Sequence, residues 1–175
     1  MDEGTDRGTY LELGDRPAVR FARQYPHSIE RVWSSIATTE GLGQWFPAAV
    51  TIDLRVGGQV LFSGDPHTDD YAGTVLTCDP PHRLAFTWGG DEVHLELEEL
   101  DSGRCRLTLV NVLEQRDTAA RNAAGWSVCL GELDRYLAGR EAAGPHSASA
   151  PPWRPLYESY VAAGLPSGAP IPDPT

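Results

Sequence analysis

Lysine is absent from this chain of 175 residues, whose 14 basic side chains are all arginine, set against 25 aspartates and glutamates for a formal net charge of −11. That balance disfavours nonspecific contact with phosphate backbones or anionic lipid, because each contact must overcome repulsion. Nucleic acid is therefore excluded as the expected partner. Cysteine is scarce too. Cys78, Cys105 and Cys129 are odd in number and show no C-x-x-C spacing, which excludes a disulfide framework and fits free thiols in a reducing compartment. No apolar run reaches membrane-spanning length, and the opening "MDEGTDRGTY" lacks a charged-then-apolar signal pattern, so neither membrane insertion nor secretion is expected. The expectation is a soluble cytoplasmic protein. Catalytic signatures are missing as well: there is no G-x-S-x-G elbow and no H-E-x-x-H helix, and no motif calls for a cofactor.

Alternating and helical periodicities make up most of what is present. "TYLELGDRPAVRFARQY" reads as a hairpin, a short strand at Tyr10 to Leu13 turning at Gly-Asp into a longer one around Ala18 to Tyr25. In "HSIERVWSSIATT", Ile29, Val32, Trp33 and Ile36 share one helical face, Ser28 can cap the start, and Glu30 suits the helix dipole. "TTEGLGQWFP" adds a short helix or turn that carries Trp45 and Phe46 toward the following strands, with core sealing as their default role.

From Pro47 onward about six short β segments alternate with Gly, Pro and Asp turns, the pattern of one antiparallel meander. "VHLELE" alternates apolar and polar residues, giving one dry and one wet face, with its carboxylates expected in solvent. The next strand puts Cys105, Leu107, Leu109 and Asn111 on one face, so Asn111 points inward if that face is the buried one. A helix follows from about Thr118 to Gly139, with Trp126, Cys129, Leu130, Leu133 and Leu137 as its apolar stripe. Asp117 or Thr118 can cap it, Gly139 can end it, and Gly125 and Gly131 inside it either admit a strand or a ligand or are simply tolerated there.

After Ala142 "AAGPHSASAPP" reads as a flexible linker. "WRPLYESYVAAG" has Leu156, Tyr157, Tyr160 and Val161 at helical spacing, a short helix expected to dock on the body or on a partner with Trp153 as an anchor, and "LPSGAPIPDPT" is expected to be extended and poorly ordered. The resulting division is 1–17 as an N-terminal extension, 18–140 as the folded domain, and 141–175 as linker and tail.

The stretches "SIERVWSSIATTEGLGQWFP", "GGQVLF", "GTVLTCDPPHRLAFTW" and "GWSVCLGELDRYL" together resemble the SRPBCC (START-like, helix-grip) superfamily, in its branch named after the activator of the heat-shock chaperone ATPase. The resemblance runs from about Val19 to Leu137. It implies an α+β helix-grip fold, a curved antiparallel sheet wrapped around the long helix, with a hollow between them able to hold a hydrophobic ligand. The leading expectation is binding of a small hydrophobic or amphipathic molecule, with no reaction assigned. Polyketide cyclase or aromatase activity, and a role as a chaperone-associated interaction protein, are the alternatives. Homodimerisation through the tail helix or a sheet edge is left open by the sequence.

Candidate cavity residues are Phe62, Phe86, Trp88, Val93, Leu95, Leu109 and Asn111 from strands and Trp126, Leu130 and Leu133 from the helix, with Trp45 and Phe46 near one mouth. For each of them, simple core packing competes with pocket lining. An enzyme would need converging polar groups, with Asn111 and Tyr71 or Thr77 as candidates, or an acid–base pair from Glu114 and Asp117. Asp65, His67, Asp69 and Asp70 carry metal-capable groups at close spacing, but acidic loops are usually only solvated, so no metal is expected.

Overall fold

The computed structural model of the protein describes residues 7–65, 69–147 and 150–171. Strand β1 (Thr9–Leu13) pairs antiparallel with β2 (Arg16–Tyr25), and α1 (Ile29–Ala37) and α2 (Thr39–Leu42) follow. Six further strands come next: β3 (Ala49–Ile52), β4 (Gln59–Ser63), β5 (Tyr71–Asp79), β6 (Arg83–Trp88), β7 (Asp91–Leu100) and β8 (Arg104–Val112). All eight strands form a single antiparallel sheet in the order β1-β2-β8-β7-β6-β5-β4-β3. The long helix α3 (Ala119–Leu137) and a shorter α4 (Trp153–Ala162) complete the chain.

The local chemistry explains most of these elements. Ser28 accepts from the Arg31 N–H and caps α1, whose Ile29, Val32 and Ile36 are buried while Trp33 is half-buried against the core. At Gly41 a Cβ would stand 2.3 Å from the Ser34 carbonyl oxygen, so only glycine lets α2 turn back so tightly on α1. Gly139, at φ +75°, takes the left-handed conformation that ends α3. On β7, Val93, Leu95 and Leu97 are buried while Glu96 and Glu98 face solvent, so the alternation read from sequence sets the dry face of the sheet.

Four expectations are corrected. Neither Asp117 nor Thr118 caps α3 with its side chain; the Thr118 hydroxyl donates instead to the Gln115 carbonyl. An acceptor for the Ala120 N–H, one of the donors that a helix start leaves free, comes from the Pro166 carbonyl of the tail. The tail is docked as far as Pro170, since Ala169 donates to Asp117 O and Arg121 to Pro170 O, while 172–175 lie outside the described residues. Within α4 Trp153 is partly buried against the core, Tyr160 is buried more deeply at 2% exposed, and Val161, expected on the same face, turns outward. The Tyr160 hydroxyl accepts from the Gly8 N–H and sits 2.7 Å from Ser127 Oγ, which joins the residue before β1 to α3 and α4, and Trp153 stacks on Tyr157. Finally, nothing lies within 4 Å of where a Cβ would stand at Gly125 or Gly131, so no strand approaches them.

Candidate functional site

Between α3 and the dry face of the sheet the structure gathers the sequence-derived aromatic residues into one cluster. Pro47 follows Phe46, and the α2 turn delivers both Trp45 and Phe46 inward. The Phe46 ring centre lies 5.6 to 6.0 Å from those of Phe62, Phe86, Trp88 and Trp126. Trp45 is completely buried, packs against Phe46 and Trp126, and donates its Nε1 hydrogen to the Ser35 carbonyl at 3.0 Å. Val93, Leu95, Leu109, Leu130 and Leu133 are also buried in this layer. Aromatic rings therefore occupy the space between sheet and helix. Edge and offset contacts of this kind add about 0.5–1.5 kcal/mol per pair beyond area burial.

Asn111 points inward, as the alternation on β8 requires, and is fully buried. Its Oδ1 accepts from Trp126 Nε1 and from Asn122 Nδ2, each at 3.0 Å. Its Nδ2 donates to Asp91 Oδ2 at 3.1 Å and to the carbonyls of Glu92 and Val112. Asp91 in turn accepts from Asn122 and from the Glu114 backbone N–H. Every polar atom of the amide is thus engaged by the protein. The network clamps α3 to the β6–β7 turn and β8, and leaves Asn111 no free valence for a substrate.

The cluster comes toward the surface at Trp88 and Tyr71, both half-buried. Trp88 rests on Trp126 at 5.3 Å, and Tyr71 stacks on Phe62 at 4.9 Å. Among the described residues the buried Trp88 Nε1 has no hydrogen-bond acceptor; the Tyr71 hydroxyl is close enough to feel that N–H, but not in bonding geometry. Burial, reinforced by the Asp65 carboxylate, pushes the Tyr71 phenol up to about 12. Gly125, on the turn of α3 that carries Trp126, is half-buried with open space at its Cβ position.

Other expected groups do not converge here. Glu114 and Asp117 are exposed, so they form no inward-facing acid–base pair. Thr77 lies on β5 beside a register shift and is half-buried. Asp69 and Asp70 are exposed, Asp70 accepts from the Gly64 N–H, and His67 lies outside the described residues. On the opposite face of the sheet an open polar depression is bordered by Asp79, His82, Glu96, Glu98, Arg106 and Thr108. Two ion pairs span it, Arg106 with Glu98 at 2.9 Å and Arg83 with Glu96 at 3.8 Å.

One buried group was not anticipated from sequence. Glu132 on α3 is 0% exposed, and among the described residues neither of its carboxyl oxygens has a hydrogen-bond partner. Its spacing of three residues from Cys129 would have placed it beside the apolar stripe, but a glutamate in a helix reads by default as a solvated residue.

A curved antiparallel sheet closed over one long helix through an aromatic layer defines a helix-grip domain. The profile of the family described as Activator of Hsp90 ATPase homolog 1-like protein matches residues 26–138, and the chain belongs to that family. Among solved structures, EF2215 from Enterococcus faecalis is 21% identical with a TM-score of 0.72, covering 89% of each chain. The solution structure of CalU16 from Micromonospora echinospora is 22% identical with a TM-score of 0.71, covering 93% of this chain and 95% of that one. DynU16, a protein of the dynemicin biosynthetic locus, is 23% identical with a TM-score of 0.62 over 71% of this chain and 49% of that one. These likenesses establish the fold. No curated protein matches the chain. No helix among the described residues is long and apolar enough to cross a membrane, which leaves β-barrels unaddressed.

Proposed function

We propose that this protein binds a small hydrophobic or amphipathic molecule between α3 and the sheet, entering beside Trp88, Tyr71 and Gly125. The observation that carries this reading is the Trp88 indole. Among the described residues its N–H is buried with no partner in hydrogen-bond geometry, though it acts on the Tyr71 phenol, in a wall that is otherwise aromatic and at an end of the cluster where the rings come toward solvent. A buried donor left unpaired is unfavourable unless something supplies its acceptor. Ligand sites combine apolar walls with a few polar groups that fix orientation, and this end of the cluster has that composition.

The rings fill the space, so binding requires Trp88 or Phe46 to move aside. Phe62, Phe86 and Trp126 then line the site, while Trp45, Val93, Leu95, Leu109, Leu130 and Leu133 hold its floor. Asn111 orients Trp126 rather than the ligand. No reaction is assigned, because the polar group best placed for one is saturated by its neighbours. The three unpaired cysteines favour a reducing compartment such as the cytoplasm.

The test is a titration with N-phenyl-1-naphthylamine, an uncharged hydrophobic fluorophore. Saturable binding at one site per chain is expected, accompanied by quenching of tryptophan emission. Absence of saturable binding below the probe's solubility limit contradicts the proposal.

A further inference from the structure

Along α3, Gly125, Cys129 and Glu132 stand at i, i+4 and i+7, and so form one stripe on the helix edge that flanks the sheet-facing Trp126, Leu130 and Leu133. The stripe runs from the open space at half-buried Gly125, past a buried thiol, to a carboxyl group with no solvent exposure. The Cys129 thiol is pushed up, first by burial and then by the carboxylates of Asp65 and Glu132. Asp65 also acts on the Tyr71 phenol. Helical spacing thus carries one edge of α3 from the open space at Gly125, beside Trp126, to the buried Glu132.

Among the described residues neither Glu132 carboxyl oxygen has a hydrogen-bond partner. Arg135, three residues on, is the nearest cation in sequence; its buried Nε also lacks an acceptor, yet no ion pair joins the two. A buried carboxylate without donors or a counter-charge is strongly disfavoured. Here it lies one edge over from the buried Leu130 and Leu133 of α3, in a protein of net charge −11, whose field attracts cations and repels anions. An ammonium group can donate to both oxygens and supply the missing charge, while an alkyl or aryl body attached to it fills the aromatic end.

We propose that the Gly125–Cys129–Glu132 edge of α3 is the polar end of the ligand site, and that it takes the ammonium group of an amphipathic amine. This rests on the binding reading above and narrows its ligand class: fatty acids and other anionic amphiphiles are disfavoured.

The experiment compares decylamine, decanol and decanoate, each below its micellar range, on the full chain and on Glu132→Gln, by calorimetry and displacement of the naphthylamine probe. The expected result is at least about tenfold tighter binding of the amine than of the alcohol, weaker binding still of the carboxylate, and loss of the amine preference in the variant. Glu132→Gln is expected to melt no lower than the parent. A clear drop in its melting temperature would show that Glu132 is paired for stability, for instance with Arg135, and would overturn the proposal. Equal binding of amine and alcohol, or an amine preference that survives in the variant, overturns it while leaving hydrophobic binding intact. Saturable binding of none of the three overturns the binding reading itself, and this inference with it.

Discussion

Asn111 and Glu132 are both polar and both fully buried, one against the long helix and one on it, yet their surroundings are opposite. The Asn111 amide spends its whole hydrogen-bonding capacity on Asp91, Asn122, Trp126 and two backbone carbonyls. The Glu132 carboxyl group spends none of its own. A satisfied buried network specifies how two elements meet, so it belongs to the architecture. An unsatisfied group works against stability, and the proposed ligand would supply the partner it lacks.

The comparison can be broken most forcefully at Asn111. Asn111→Ala strands the Trp126 indole N–H and removes a donor from Asp91, and it is expected to destabilise the fold by about 3–5 kcal/mol, read as a lower urea midpoint. A loss below about 1 kcal/mol would mean that the network is incidental. At Glu132 the sign reverses. Glu132→Met, similar in volume and without charge, is expected to stabilise by about 1–3 kcal/mol in the same assay.

A smaller effect sharpens the contrast at the site's mouth. The Tyr71 phenol, raised from 10.0 to about 12 mainly by burial, keeps its proton in the folded state after the unfolded chain has released it. Its contribution is therefore fully present below pH 10 and is lost as pH rises through about 12. Unfolding midpoints followed across that window should fall less steeply in Tyr71→Phe than in the parent. Identical slopes would place the phenol in water.

Much of this fold was legible in the residues themselves. The alternation in "VHLELE" and in Cys105-Leu107-Leu109-Asn111 gave the inner face, and the spacing of Ile29, Val32 and Ile36 gave the buried side of α1. Local period suffices for such assignments because each residue's direction follows from its own strand or helix. That Asn111 faces inward could be read this way; that it is saturated could not, since Asp91 and Asn122 come from other elements. The same limit hid Glu132, whose burial depends on how α3 meets the rest of the chain. It also misled the reading of the tail, where glycines and prolines suggested loose chain. The Pro166 carbonyl instead serves the Ala120 N–H at the start of α3, a demand invisible in the tail's own composition.

The central claim is that the aromatic layer opens at Trp88 to admit a ligand, and the indole N–H resonances test it most directly. Trp45 Nε1 is committed to Ser35 O and Trp126 Nε1 to Asn111 Oδ1, while Trp88 Nε1 has no acceptor. In a nitrogen-15 spectrum followed during titration with decylamine, the Trp88 indole signal should move furthest, Trp126 less, and Trp45 least. If Trp88 stays fixed while decylamine binds elsewhere, or if no indole responds at saturating ligand, the cluster is a closed core and the account fails.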